Sequence, residues 1–202
     1  MEPCATASAY DLLAHNWLDE RFSRTDGVPQ HRLALRFLHD AGNGWALNVG
    51  CGCNTRFNGL LREHGLRIEG IDVSDRMVAL ARSADPEARV HLGDICTWQP
   101  PRSYRFISAW DSIWHVRLSE QHALMLKLMR LLEPNGVFIF SAGGLDSPAE
   151  HTSSAMGPTV YYSTLGIPGI LSVIQEAGCV LRHFEFDQWP QPHLVAVVQR
   201  PG

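Results

Sequence analysis

Residues 45–52 read Trp45-Ala46-Leu47-Asn48-Val49-Gly50-Cys51-Gly52, and the reading of this stretch decides the fold. A short apolar strand runs into two closely spaced glycines, and a helix is expected from about 55 to 64. Glycine at a strand-to-helix turn lets the backbone bend sharply and lets a ligand come close. The amino terminus of the following helix adds N–H donors and positive potential. Alone, the pattern fits any nucleotide-binding sheet or a plain turn. A dinucleotide-binding GxGxxG would need its third glycine at Thr55, so that motif is not met.

Outward from this loop, strand and helix signals alternate. Gly65 breaks the helix, and a second strand over 66–71 ends in Asp72. Ser74-Asp75 reads as a cap for a helix reaching about 83, which Asp85-Pro86 breaks. A third strand, 89–92, ends in Gly93-Asp94, and a fourth, 104–110, ends in Asp111. Ser119 is expected to cap a helix over about 120–132, and Pro134-Asn135-Gly136 to turn the chain into a fifth strand at 137–141. A helix at about 165–177 and strands at 179–186 and 193–199 follow. The last two strands are joined by 187–192, short enough for a hairpin. On the amino-terminal side, helices are expected over about 8–23 and 30–41, separated by Asp26-Gly27-Val28-Pro29 and closed by Gly42-Asn43-Gly44.

This order predicts an α/β fold: a doubly wound, seven-stranded, mostly parallel sheet with a carboxyl-terminal antiparallel hairpin and amino-terminal helices. One domain is expected over 1–202. Residues 1–42 would form helices that act as a lid, 43–202 the core, and 142–163 a loop on the substrate side. Ligands of such sheets bind at the carboxyl ends of the strands, where strand order reverses. Asn48, Gly50, Asp72, Asp94, Asp111 and Ser141 all fall at predicted strand ends.

Two of these carboxylates suit a nucleoside. An ionised Asp72 offers acceptors only, and both hydroxyls of a ribose are donors. Ser74 and Asp75 already supply the helix cap, so Asp72 is free for a ligand. Asp94 suits an exocyclic amine of adenine, with Ile95 covering the ring; the plainer alternative is an aspartate that stabilises its own loop.

The four motifs, in order, are Leu47-Asn48-Val49-Gly50-Cys51-Gly52, Gly70-Ile71-Asp72-Val73-Ser74, Gly93-Asp94-Ile95 and Leu131-Leu132-Glu133-Pro134-Asn135-Gly136. Together they resemble the class I S-adenosylmethionine-dependent methyltransferases, of small-molecule type, over nearly the whole chain. The resemblance implies S-adenosyl-L-methionine as cofactor. It implies that Gly50, Cys51 and Gly52 face the methionine part, that Asp72 holds the ribose with Val73 against the adenine, and that Asp94 and Ile95 read the adenine edge. Trp110 and Asp111 match the stretch that flanks the methionine end and the acceptor. Asn48 stands where many members carry an acidic residue that reaches the cofactor's amino group; its carbonyl accepts without charge assistance. Asn54 stands where many carry a third glycine, and asparagine tolerates a left-handed backbone better than most residues.

The acceptor side is less legible. Trp110-Asp111-Ser112-Ile113-Trp114-His115-Val116 lacks the prolines of members that methylate exocyclic amines of bases. His115 is a candidate base or acceptor contact, or a histidine bonded to backbone. Tyr10 and Trp17 on the first helix are candidates to meet the methionine end or acceptor. His151, Tyr161 and Tyr162 in the polar 142–163 stretch are candidates for acceptor contact or proton transfer.

Composition narrows the partners. The 202 residues carry 17 Lys+Arg against 21 Asp+Glu, a formal charge of −4 without a basic run, which disfavours a nucleic-acid substrate and favours a small molecule. No stretch approaches the roughly 20 apolar residues of a membrane helix, and the start lacks the pattern of a secretion signal. Five cysteines without framework spacing point to a cytoplasmic protein. Cys51-x-Cys53 has no second pair, so no metal is expected. Two other readings stay open on the sequence: a nicotinamide-dependent oxidoreductase, and a non-catalytic protein that keeps the fold to bind or regulate.

Overall fold

The structure, a computed structural model, describes residues 3–18, 23–38, 42–53 and 55–202, with side chains from residue 5 onward except at 18. Phe22 and Ala41, placed above in the first two helices, and Asn54 lie outside these residues.

Seven strands form one sheet: β1 (Trp45–Val49), β2 (Arg67–Asp72), β3 (Arg89–Leu92), β4 (Tyr104–Ala109), β5 (Leu132–Gly143), β8 (Val180–Phe186) and β9 (His193–Gln199). Their order is β3-β2-β1-β4-β5-β9-β8. The first five run parallel, and β9 pairs antiparallel with both β5 and β8. This is the seven-stranded, mostly parallel sheet with a closing hairpin that the alternation implies. Strand order reverses between β1 and β4, where Asn48 pairs with Ser108.

Among the described residues six α-helices flank the sheet: α1 (Pro3–Leu13), α2 (Val28–Leu35), α3 (Asn58–Glu63), α4 (Asp75–Ala84), α5 (Leu118–Arg130) and α6 (Gly166–Glu176). Side chains alternate across each strand. Leu47 and Val49 therefore pack on one face with Leu124 and Leu128 of α5 and Ile170 and Val173 of α6. Ala46 points to the other face, with Leu35 of α2 and Leu60 and Leu61 of α3. Every residue of β1 is buried, which explains why it reads as an unbroken apolar run.

Several boundaries differ from the sequence reading. The first helix begins at Pro3, where proline is tolerated because its missing N–H lies in the first turn, and tightens into a 3₁₀ turn at Ala14–Leu18. The second starts two residues earlier than expected and α3 three residues later. Pro134-Asn135-Gly136 lies within β5 as an irregularity rather than before it: Asn135 has φ 62°, and Arg200 receives its N–H. The largest difference falls in 142–163, expected as a polar loop. There β6 (Ala149–Ser153) and β7 (Val160–Thr164) form a two-stranded antiparallel ladder. β6 is mostly exposed, so its side chains carry no apolar alternation to announce it.

Ser74 caps α4 as expected, accepting from the Met77 N–H at 3.1 Å. Ser119 does not cap α5. The Leu118 N–H instead donates to the Tyr161 hydroxyl at 3.0 Å, a partner from β7 that no local pattern reveals. Among the described residues no helix is long and apolar enough to cross a membrane.

Candidate functional site at the strand ends

The turn after β1 is held by the end of β2. The N–H groups of Gly50 and Cys51 both donate to the Ile71 carbonyl, at 2.8 and 3.1 Å. The Gly52 N–H donates to Asp72 Oδ2 at 2.8 Å, while the Ser74 N–H donates to Asp72 Oδ1 at 2.9 Å. Gly50 and Gly52 both adopt left-handed backbone, φ 62° and 54°. A β-carbon on Gly50 would stand 2.4 Å from Cβ of Ser112, across the strand switch. Glycine is thus required twice over at 50, by conformation and by space.

These groups open on one large cavity, about 800 Å³, at the carboxyl ends of the parallel strands. Asn48, Gly50, Cys51, Gly52, Asp72, Val73, Asp94, Ile95, Trp110 and Asp111 all line it. Burial pushes the Asp72 carboxyl up from its ordinary range, against the backbone N–H groups of Ser74, Gly52 and Val73 that favour the anion. The carboxylate keeps acceptor capacity for a further donor. Burial likewise pushes up the Cys51 thiol, keeping it neutral. Asp94 Oδ1 accepts from the Cys96 N–H at 2.9 Å, so it also ties its own loop. Lys127 of α5 reaches under that loop and donates to the carbonyls of Ile95, at 2.7 Å, and Trp98, at 2.5 Å.

The far end of the cavity is aromatic. Trp110, Trp114, His115 and Tyr162 line it, together with Tyr10 and Trp17 of the amino-terminal segment. Tyr10 and Asp11 fasten α1 over the cleft: Asp11 accepts from the Ser74 hydroxyl at 2.5 Å and the Arg76 N–H at 3.1 Å. The Tyr10 hydroxyl donates to His115 Nε2 at 2.7 Å.

The four acceptor-side candidates separate in the structure. His115 Nδ1–H donates to the Tyr161 carbonyl at 2.8 Å, which leaves Nε2 as an acceptor. That lone pair takes both the Tyr10 hydroxyl and the Trp114 indole N–H, the latter at 2.9 Å. Burial holds the imidazole neutral, lowering its pKa to about 4. His115 is therefore a bonded wall of the site, with no lone pair left over for a substrate proton. Tyr161 turns its hydroxyl away, to Leu118 N–H and to Glu150 at 2.5 Å, and does not line the cavity. His151 stacks on the Tyr162 ring, 5.2 Å between centroids, but is exposed and outside the cavity. Tyr162 alone of the three residues between 142 and 163 lines it.

Sequence reasoning named Asp111 and Ser141 but passed over the cluster that they form with His193 and Asp187. Asp111 has φ 52°, and its N–H donates to Ser141 Oγ at 2.7 Å, which donates back to Asp111 Oδ1 at 3.0 Å. His193, at the start of β9, donates from Nε2 to the same Oδ1 at 2.9 Å and from Nδ1 to Asp187 at 2.5 Å. The two carboxylates outweigh burial and raise the imidazole pKa to about 9. Arg56 and Asp26 also line the cavity; the Arg56 Nε–H donates to the Asp26 carbonyl at 2.7 Å, and Asp26 Oδ2 accepts from the Trp110 indole at 3.1 Å. His193 and Asp187 sit in or beside a hairpin turn of no recognisable pattern, and Arg56 and Asp26 are 30 residues apart, so nothing local pointed to them.

Comparison with known proteins agrees with this architecture. A methyltransferase-domain family model matches residues 46–136. Trans-aconitate 2-methyltransferase of Escherichia coli is 31% identical over 157 residues, covering 72% of this chain and 58% of that protein. The chain thus spans 58% of the length of this curated relative. Among solved structures, the 1,6-didemethyltoxoflavin-N1-methyltransferase of Burkholderia thailandensis, with its substrate and S-adenosylhomocysteine bound, superimposes with a TM-score of 0.75 at 15% identity, covering 98% of this chain and 88% of that one. An amino pentose methyltransferase of Micromonospora echinaspora with S-adenosylmethionine bound gives 0.67 at 15% identity, covering 89% and 92%. Sheet order and cleft agree with these neighbours: residues 46–136 match a methyltransferase domain, and the chain has the fold of the S-adenosylmethionine-dependent methyltransferases.

Proposed function

We propose that this protein transfers the methyl group of S-adenosylmethionine to a small-molecule acceptor. One observation carries the reading: Asp72, Asp94 and the two left-handed glycines open on the same cavity as the aromatic wall of Trp110 and Trp114. A nucleoside at one end and an acceptor at the other would then lie in a single cleft.

In this reading the lone pairs of Asp72 receive the ribose hydroxyls, and Val73 and Ile95 flank the adenine with Asp94 at its edge. Gly50, Cys51 and Gly52 pass beside the methionine part, where Asn48 offers its side chain. When bound, the cofactor supplies an electrophilic methyl group on a sulfonium. The chain's own work is alignment and exclusion of water, through Tyr10, Trp114 and Tyr162 around the far end. No residue has to act as a base unless the acceptor must lose a proton.

Equilibrium titration with S-adenosylhomocysteine tests the reading. Asp72→Ala leaves the Gly52 and Ser74 N–H groups without their acceptor and removes the partner of two hydroxyls. Affinity should fall about 10- to 100-fold, the range for lost hydrogen bonds to a charged group. Tight NAD(H) binding with no response to S-adenosylhomocysteine would instead establish the oxidoreductase alternative.

A further inference from the structure

The Asp111–His193–Asp187 array has no part in holding a nucleoside, yet it faces the cleft. Asp111 and Asp187 both line the cavity, and His193 lies 8% exposed between them. Asp111 Oδ1 is saturated by Ser141 and His193. No described residue bonds to Asp111 Oδ2, and the Asp111 side chain is 39% exposed, so this oxygen is the part open to the cavity. Its direction is fixed three times: by the Ser141 hydroxyl, by the His193 ring and by the left-handed backbone at 111. Asp187 in turn holds the far nitrogen of that ring.

The walls nearby are aromatic. The Trp110 and Trp114 rings lie 5.6 and 5.5 Å from the His193 ring, and Trp114 lies 6.3 Å from Tyr162. A carboxylate oxygen set among aromatic faces recognises an N–H donor carried on an apolar or cationic body, through a charge-assisted hydrogen bond and the ring quadrupoles. Among the described residues that line the cavity from Asp111 to Glu120 and around His193, the charged side chains are Asp26, Asp111, Glu120 and Asp187, against Arg56, Arg117 and the His193 imidazolium. Arg56 is turned to the Asp26 carbonyl, with its carboxylate 3.8 Å away. A polycarboxylate acceptor would meet the Asp111 oxygen as a like charge.

We propose that Asp111 seats an amine-bearing acceptor by its N–H, with His193 and Asp187 as the positioning pair for the receiving oxygen. This rests on the methyl-transfer reading above and names the acceptor class for it.

The test uses the full chain saturated with S-adenosylhomocysteine, titrated with two probes of matched size, phenethylamine and 3-phenylpropanoate. The amine should bind at least about tenfold tighter, one charge-assisted hydrogen bond's worth. Asp111→Asn, with S-adenosylhomocysteine titrated again and held saturating for the variant, should abolish that preference. Asp187→Asn should weaken amine binding less, and its loss should grow as pH rises toward 9, as the ring it supports releases its proton more readily. Equal, reversed or undetectable binding of the amine overturns the proposal, as does an Asp111→Asn protein that keeps the preference. Failure of the methyltransferase reading shows separately, as wild-type protein that does not bind S-adenosylhomocysteine at all.

Discussion

At one end of the cleft, Gly50, Gly52, Asp72 and Asp94 come from three successive strand ends between residues 50 and 94. At the other, Tyr10, Asp111, Trp114, Tyr162 and His193 arrive from α1, the β4 end, β7 and β9. The first end is made by backbone: left-handed glycines, N–H groups and carboxylates that brace the loop. The second is made by side chains braced against each other over long sequence separations. Backbone devices need a given residue type at a given spacing, so they leave a pattern in the chain. Side-chain assemblies need only complementary groups that the fold brings together, so they leave none.

The comparison can be broken hardest at Gly50. Gly50→Ala forces a left-handed alanine, costing about 1–2 kcal/mol, and drives its methyl into Ser112, costing about 1–3 kcal/mol more. We expect a lower melting temperature and loss of S-adenosylhomocysteine binding by more than about 100-fold, the sum of those costs. Retention of affinity within threefold would show that the loop does not grip the cofactor. The Asp72→Ala loss given above comes next. It has a pH counterpart: Asp72 has a raised pKa and, in the proposed reading, would receive hydroxyl donors as an anion, so affinity should fall as pH drops through that raised value. Asp72→Ala should lose this dependence.

At the aromatic end, pH acts in the opposite direction. His193 is raised from 6.5 to about 9 in the folded protein. Its contribution to stability is therefore complete below pH 6.5 and lost as pH climbs to 9. Melting temperature should decline over that window by several degrees, on the order of 2–4 °C for each kcal/mol lost. His193→Gln should flatten the decline, and an unchanged slope would remove the imidazolium from the account. Smaller still is Tyr10→Phe, which deletes one hydrogen bond between α1 and His115, worth about 1 kcal/mol. Hydrogen exchange should quicken in α1, while β1 and β2 keep their protection. The smallest effect belongs to His151→Ala, exposed and outside the cleft, where turnover and melting should match the wild type to within about 0.5 kcal/mol.

Legibility follows the same division. The strand pattern, the β9 bounds, the Ser74 cap and the glycine turn were all readable, because each is a local rule of propensity or backbone geometry. The β6–β7 ladder was not, because its exposed side chains show no alternation. Among acceptor-side candidates, His115 and Tyr162 do line the cleft, but His115 is bonded at both nitrogens. Tyr161 serves instead as the cap of α5. Neighbouring tyrosines on a strand point to opposite faces, and which face meets the cleft depends on how the hairpin docks.

By itself, the sequence determined the parallel sheet, its closing hairpin, and a glycine turn with two carboxylates at strand ends. Hydrophobic period, glycine conformation and the acceptor-only chemistry of an aspartate are properties of single residues and short spans. Only the tertiary structure decided that His193 is an imidazolium between Asp111 and Asp187, and that Tyr10 closes on His115. Those states depend on burial and on pairs such as Asp111 with His193 and Tyr10 with His115, more than 80 residues apart, and charge and hydrogen bonding at such a distance are set by packing.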